Sequence, residues 1–129
     1  MGEHDGLRGF FDDYGGALAT GDINRLADCY AYPTFALGDD QSLAMSDRDA
    51  ATTAFSGATE HFGGPGMAVA APTLTAVEEL TPTLTSVDVR WSYSDAGGTE
   101  RGGESYRYVV RATAGRHAIC AVIPTNREV

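Results

Sequence analysis

The first twenty residues carry apolar side chains at the spacing of an amphipathic helix. Apolar positions recur every three or four residues, so they fall along one stripe of a helical surface. These positions are Leu7, Phe10, Phe11, Tyr14, Ala17 and Leu18. Gly15 and Gly16 lie within this helix, and mid-helix glycines usually indicate close packing or a nearby ligand. Gly21 is expected to end the helix, because glycine readily adopts the left-handed conformation of a helix C-terminus.

A second helix with the same spacing follows at once. Asp22 is placed to cap its first turn, and its apolar face includes Leu26 and Tyr30. The residue before a proline disfavours helical angles, so Pro33 is expected to stop the helix. Tyr30 is therefore interpreted as the last core residue of the second helix, and the alternative is that Tyr30 and Tyr32 line the mouth of a cavity.

Short strands and a third helix are predicted next. The strands cover 34–37 and 41–45, and a Gly-Asp-Asp turn joins them. Ser46 with Asp49 resembles a capping box, which indicates the start of a third helix. Phe55 lies on the apolar face of that helix.

The second half of the chain alternates apolar and polar residues, which is typical of strands with one buried face. Strands are predicted over 69–80, 83–93, 104–112 and 117–124, with short turns between them. Because the helices precede most of the strands, the fold class is α+β rather than doubly wound. We expect one domain, residues 1–129, with three N-terminal helices packed on a strongly bent, mainly antiparallel sheet. Such a roll can enclose a cone-shaped cavity.

Charge and composition exclude several partners. The chain of 129 residues has nine basic residues, all Arg, and a formal net charge of −9. Nucleic acid and anionic membrane surfaces are therefore not expected partners. No apolar run approaches the ~20 residues of a membrane span, and the N-terminus lacks the apolar core of a signal peptide. These features predict a cytoplasmic protein.

No cofactor is expected. Cys29 and Cys120 are far apart and lack a neighbouring cysteine, so both are interpreted as free thiols. No cluster of histidines and acids has the spacing of a metal site. Glycine-rich nucleotide motifs are absent, so neither a nucleotide nor a flavin is predicted.

Three stretches together resemble a known superfamily. The first is FFDDYGGALATGDINRLADCYAYPTF, with a Gly-Asp break between two helices and a Tyr-Ala-Tyr-Pro segment near its end. The others are the aromatic-ended strand VDVRWSY and the strand pair YRYVVRATAGRHAICAVI. Their order resembles the nuclear transport factor 2-like superfamily, in its SnoaL-like and ketosteroid-isomerase-like branch. That superfamily includes enzymes, binding proteins and assembly modules, so the resemblance implies a fold and not one function.

The resemblance implies candidate catalytic residues. Ketosteroid isomerases of this kind use a tyrosine of the first helix in an oxyanion hole, and Tyr14 stands at that position. Their carboxylate base corresponds to Gly38 here, with Asp39 and Asp40 directly after it. Their second carboxylic acid falls near Arg107, whose fixed positive charge differs from a neutral acid. One of the three roles is matched, and Asp39, Asp40 and Arg107 stay as candidates beside Tyr14.

Each of these candidates also has a structural interpretation. Tyr14 lies on the buried stripe of its helix, where a core tyrosine needs no ligand. A Gly-Asp-Asp turn is usually solvated, which would leave Asp39 and Asp40 without a catalytic role. For Arg107 the favoured interpretation is an arginine paired with an acid on a solvated or dimer-facing surface.

By the same resemblance, one strand face points into the cone and carries Trp91 and Tyr93. Flat aromatic side chains suit a ring-shaped apolar ligand, although they are also ordinary core residues. Tyr14, Tyr32 and Phe55 complete the expected ligand-binding set.

The last long strand pair leaves one question open. Alternation along 104–112 puts Glu104 on one face and both Arg107 and Arg111 on the other. Either face is compatible with the sequence as the one that lines the cavity.

Three functions are compatible with these residues. The first is binding of a small, planar or carbonyl-containing hydrophobic molecule. The second is an isomerase or cyclase that acts on such a compound without a cofactor. The third is an assembly module with a filled cone. A homodimer is implied by the resemblance, through the outer face of the sheet.

Overall fold

The computed structural model describes residues 5–62 and 68–125, apart from the side chains of residues 5, 57–62 and 101. Its helices are α1 (Asp5–Thr20), α2 (Ile23–Asp28) and α3 (Arg48–Phe62). Its strands are β1 (Tyr30–Leu37), β2 (Ser42–Met45), β3 (Val69–Glu79), β4 (Leu84–Ser94), β5 (Glu100–Thr113) and β6 (Arg116–Pro124). The fold is α+β, which confirms the class predicted from the hydrophobic pattern.

The six strands form one curved, unclosed sheet with the order β2-β1-β6-β5-β4-β3. Neighbours pair antiparallel except for β1 and β6, which run parallel. The four strands from β3 to β6 form a meander, because each short turn returns the chain beside the previous strand. The prediction of a mainly antiparallel sheet is confirmed. β5 begins at Glu100, four residues before its predicted start.

The junction of α1 and α2 follows the capping signals in the sequence. Gly21 has a φ of 71°, the left-handed conformation that favours glycine. The Asp22 N–H donates to the Ala17 carbonyl oxygen at 2.9 Å, which satisfies an end group of α1. The Asp22 side chain accepts a hydrogen bond from the Arg25 N–H at 3.2 Å. The expected helix end and N-cap are therefore confirmed.

The prediction was wrong about where α2 ends. The helix stops at Asp28, and Tyr30 is the first residue of β1 instead of the last of a helix. The Ile119 N–H donates to the Cys29 carbonyl oxygen at 2.8 Å, so pairing with β6 begins directly after α2. The register between β1 and β6 is irregular from Tyr30 to Phe35, and this gap accommodates Pro33, which has no N–H to donate.

The N-cap of α3 also differs from the expected one. Asp47 Oδ1 accepts a hydrogen bond from the Ala50 N–H at 2.9 Å, so Asp47 caps this helix and Ser46 does not. Both residues are good capping types, and the sequence pattern alone did not distinguish them.

The core lies between α1 and the concave face of the sheet. Phe11 and Trp91 are fully buried there, with their ring centroids 6.5 Å apart in an edge-on arrangement. Gly15 lies where α1 crosses β3. A Cβ on Gly15 would overlap with the Ala70 carbonyl oxygen and lie 3.0 Å from Trp91 Cζ3. Of the two interpretations of Gly15, close packing is the one that the structure supports.

None of the helices in the described ranges combines the length and the apolar character needed to cross a bilayer.

Candidate functional site

A cavity of about 230 Å³ lies between the helices and the concave face of the sheet. Its described lining residues are apolar or aromatic, and none of them carries a formal charge. The aromatic ones are Tyr14, Tyr30, Phe55, Trp91, Tyr93, Tyr106 and Tyr108. The aliphatic ones are Leu18, Ala36, Leu43, Met45, Ala54 and Val122. The polar atoms of this wall are therefore mainly phenol hydroxyls, and their hydrogen bonds decide what the cavity offers a ligand.

Two buried phenols meet on one side of the cavity. The hydroxyls of Tyr14 and Tyr30 lie 2.7 Å apart, and either can donate to the other. Burial raises the pKa of both hydroxyls well above the ordinary value of 10.0, so both stay protonated near neutral pH. The pair holds two protons but needs only one for its mutual hydrogen bond. The second proton is free to be donated to a ligand oxygen.

A second polar contact lies on the sheet. The Trp91 indole N–H donates to the Tyr108 hydroxyl oxygen at 2.8 Å, and both side chains are almost fully buried. The Tyr108 hydroxyl accepts this bond, so its own proton is not used by Trp91.

The third polar contact includes a carboxylate at the edge of the cavity. Tyr106 donates its hydroxyl proton to Glu104 Oε2 at 2.7 Å. Tyr93 lies near the same carboxylate. Burial and the neighbouring carboxylate raise the pKa of both phenols, so these protons stay in place. Glu104 is half-buried and is not among the described residues that line the cavity, whereas Tyr93 and Tyr106 are.

This arrangement answers the question about the β5 face. Tyr106 and Tyr108 line the cavity, so Glu104 lies on the concave side and Arg107 on the convex side. For Tyr30 the sequence pattern favoured a core role over a place at the cavity mouth, and it did not single out Tyr106 or Tyr108. For the last two a signal existed, because they alternate with Arg107 in the same way that Trp91 and Tyr93 alternate with polar residues in β4.

The residues proposed from the sequence separate into two groups. Tyr14, Phe55, Trp91 and Tyr93 lie on the cavity wall. Tyr32 is half-buried and points elsewhere, with its hydroxyl donating to the Ala27 carbonyl oxygen at 2.8 Å.

Asp39, Asp40 and Arg107 are not brought to the cavity. The two aspartates lie in the exposed turn between β1 and β2. Arg107 donates to both carboxylate oxygens of Asp88, at 2.7 and 3.1 Å, on the exposed convex face. This pairing corresponds to the structural interpretation of Arg107, and alternation along β5 keeps its guanidinium away from the cavity.

Neither cysteine has the environment of a nucleophile. Cys29 and Cys120 are both free thiols. Burial is the main cause that raises the pKa of Cys29 from 9.0 to about 11, so its thiolate form is scarce at neutral pH. Within the described part of the chain, no three histidine, cysteine or acidic side chains are grouped to hold a metal ion.

Helices packed on one face of a curved sheet, around an aromatic cavity, define a nuclear transport factor 2-like domain. The chain belongs to the family described as NTF2-like protein (DUF6841), whose model matches residues 4–127. The superfamily resemblance found in the sequence is thereby confirmed. None of the curated proteins compared with the chain matches it.

Solved structures share the fold at low identity. An NTF-2 like protein of unknown function from Shewanella oneidensis aligns with a TM-score of 0.72 and 13% identity, covering 95% of this chain and 98% of its own. A protein provisionally described as a calcium/calmodulin dependent protein kinase II association domain, from Xanthomonas campestris, gives 0.67 and 18%, covering 98% and 89%. One provisionally described as a scytalone dehydratase, from Novosphingobium aromaticivorans, gives 0.65 and 15%, covering 98% and 89%. These similarities show the fold alone.

Proposed function

We propose that this protein binds a small hydrophobic molecule with one ring and a carbonyl group, in the cavity between the helices and the sheet. The observation that carries the proposal is the cavity wall, which combines aromatic faces with buried phenol hydroxyls. Ligand sites typically show this composition, with mostly apolar surface and a few polar groups that fix orientation.

The size of the cavity limits the ligand. A dry cavity of roughly 150 Å³ accepts benzene, and drug-sized ligands need about 300 Å³ or more. The 230 Å³ measured here lies between the two. A single ring with a short substituent therefore fits, and a fused four-ring skeleton does not fit this conformation.

The carbonyl preference comes from Tyr14 and Tyr30. Their pair keeps one hydroxyl proton that is not needed internally, and a carbonyl oxygen is the acceptor that would use it. Trp91 lies near this pair, with its ring centroid 5.6 Å from that of Tyr14. A ligand ring stacked beside Trp91 would therefore place its carbonyl substituent within reach of the phenols.

An isomerase or cyclase is the second candidate. The Tyr14–Tyr30 pair supports it, because preorganised donors stabilise an oxyanion as charge develops. Proton abstraction also needs a base within hydrogen-bond reach of the substrate. No carboxylate is among the described residues that line the cavity, and Asp39 and Asp40 lie outside it. Binding therefore has more support than catalysis.

The assembly alternative has less support at the cone itself. The described side chains leave about 230 Å³ open, whereas that alternative requires a filled cone.

We propose the homodimer separately, through the convex face of the sheet. Phe35 and Leu37 are 43% and 37% exposed there and would gain from burial. Light scattering should give twice the chain mass; a monomer at high concentration would reject the dimer.

Titration with acetophenone tests the proposed binding. Trp91 is the single tryptophan of the chain and is buried in the cavity wall, so its fluorescence should change as the site fills. Calorimetry on the same samples gives the affinity. Saturable binding supports the proposal, and a flat titration with acetophenone and related one-ring ketones rejects it.

A pair of variants distinguishes binding in the cavity from binding elsewhere on the protein surface. Ala36→Leu places a larger side chain on the cavity wall. Ala44→Leu makes the same chemical change on the convex face, where Ala44 pairs with Phe35. Each buried methylene contributes about 0.8 kcal/mol, so exclusion of about two ligand carbons weakens binding roughly tenfold. We expect this loss in Ala36→Leu and unchanged affinity in Ala44→Leu, with both folds checked by circular dichroism.

A further inference from the structure

The phenol hydroxyls around the cavity differ in whether they donate their proton to another group of the protein or accept a hydrogen bond from one. A tyrosine hydroxyl has one proton and two lone pairs, so a hydroxyl that donates inside the protein can only accept from a ligand. The hydrogen bonds of the wall therefore assign each phenol a direction towards the cavity.

One phenol on the Glu104 side is an acceptor. Tyr106 donates to Glu104 Oε2 at 2.7 Å. An ionised carboxylate has no proton to give, so the phenol proton must point towards it. Tyr106 also lines the cavity, and its oxygen keeps lone pairs available to a ligand.

The remaining phenols act in the opposite direction. Tyr108 accepts from the Trp91 indole at 2.8 Å, which leaves its own proton available. Tyr14 and Tyr30 share one proton between them and keep the other. The wall thus has phenol donors on one side and a phenol acceptor, Tyr106, on the other, and the difference arises from the position of Glu104.

We propose that Glu104 is a positioning residue that turns the Tyr106 hydroxyl into a hydrogen-bond acceptor, so that the ligand carries a donor group in addition to its carbonyl. This inference rests on the proposed function and specifies its ligand class. A phenolic hydroxyl or an amide or amine N–H is the matching group.

Charge adds a restriction to this ligand class. Glu104 carries a negative charge just outside the wall, and no cationic side chain is among the described residues that line the cavity. A carboxylate substituent on the ligand would approach the Glu104 side without a compensating charge, and burial of an unpaired anion is costly. The site should therefore discriminate against ligands with an added acid group.

Ligands with the same skeleton separate these effects. Acetophenone has only an acceptor, 3- and 4-hydroxyacetophenone add a donor at two positions, and 4-acetylbenzoate adds an anion. Calorimetry should show at least one hydroxy compound binding about tenfold tighter than acetophenone, as one net hydrogen bond allows. The anion should bind more weakly than acetophenone. Equal affinity of acetophenone and both hydroxy compounds overturns the inference.

Variants assign the preference to Glu104. Glu104→Gln offers the Tyr106 hydroxyl an amide N–H₂ as well as an oxygen, so this hydroxyl is no longer restricted to accepting from a ligand. The preference, measured as the ratio of the affinities of the hydroxy compound and acetophenone in the same variant, should then fall to about twofold or less. Glu79→Gln removes the same charge at an exposed position of β3 and should keep the full preference. Tyr106→Phe removes one acceptor oxygen, keeps the ring, and should also lower the preference.

The outcomes distinguish this inference from the proposed function. If acetophenone binds and the hydroxy compounds gain nothing, the inference is overturned and the proposed function stands. If the preference exists and persists unchanged in Glu104→Gln and Tyr106→Phe, Glu104 does not position these groups and the inference is again overturned. If no compound of the series binds, both fail.

Discussion

Substitution of Gly15 tests how closely α1 packs on the sheet beside the cavity. In Gly15→Ala, the new methyl group would overlap with the Ala70 carbonyl oxygen and lie 3.0 Å from Trp91 Cζ3. The carbonyl belongs to the backbone of β3 and cannot rotate away as a flexible side chain would. The helix must therefore move away from the sheet, or Trp91 must shift.

Two opposing terms set the magnitude. Overpacking a well-packed core costs about 1–3 kcal/mol. Replacing a mid-helix glycine with alanine stabilises a helix by up to about 1 kcal/mol. We therefore expect Gly15→Ala to lower the free energy of unfolding by about 1–2 kcal/mol. Because Trp91 lines the cavity, acetophenone affinity should fall in the same variant.

The next residue provides a matched control. Gly16 is exposed on the same helix, and a Cβ there would meet no atom within 4 Å. Gly16→Ala should therefore raise the free energy of unfolding by up to about 1 kcal/mol. Urea denaturation, followed by Trp91 fluorescence and circular dichroism, measures both. If Gly15→Ala proves as stable as Gly16→Ala, the close approach of α1 to Ala70 is not real.

Three further predictions concern the Tyr14–Tyr30 pair, the Cys29 thiol and the two aspartates of the turn between β1 and β2. Tyr14→Phe and Tyr30→Phe should each lower the free energy of unfolding by about 1 kcal/mol. The double variant should lower it by less than the sum, because the 2.7 Å hydrogen bond is already lost in either single variant. Additive effects in urea unfolding would contradict this hydrogen bond. Alkylation of Cys29 by iodoacetamide, measured in a Cys120→Ser background, should rise with an apparent pKa near 11. Because this folded-state pKa is raised above 9.0, the thiol's contribution to stability is complete below pH 9 and is lost as the pH rises towards 11; an alkylation midpoint near 9 would refute the burial. Asp39→Asn combined with Asp40→Asn should leave acetophenone affinity and the unfolding midpoint unchanged, because both lie in an exposed turn; a loss of binding would return them to the site.

The local pattern predicted most helices and strands because burial on one face imposes a period. α1 ends at Thr20, directly before the left-handed Gly21, and β4 presents Trp91 and Tyr93 to the core, as the spacing indicates. The exception is Tyr30, which continues the helical spacing of α2 and yet begins β1. Its conformation depends on pairing with Ile119 in β6, a residue far away in sequence, and no local pattern contains that information.

The candidate site was only partly accessible to sequence reasoning, for a similar reason. Trp91 and Tyr93 could be placed because strand alternation fixes their face. The role of Glu104 depends on which face of β5 is concave and on the hydrogen bond from Tyr106, and both require the sheet register. Arg107, Asp39 and Asp40 became candidates only because they lie at or beside the positions of catalytic residues in ketosteroid isomerases. Alternation in β5 then places Arg107 on the convex side, with Asp88.

The location of a bound ligand tests the central claim most directly. Nuclear Overhauser effects between acetophenone protons and the protein report distances in the complex in solution. We expect contacts from the ligand ring to the indole protons of Trp91 and to the Phe55 ring, both on the cavity wall. Contacts confined to the exposed Phe35 and Leu37 on the convex face would contradict binding in the cavity.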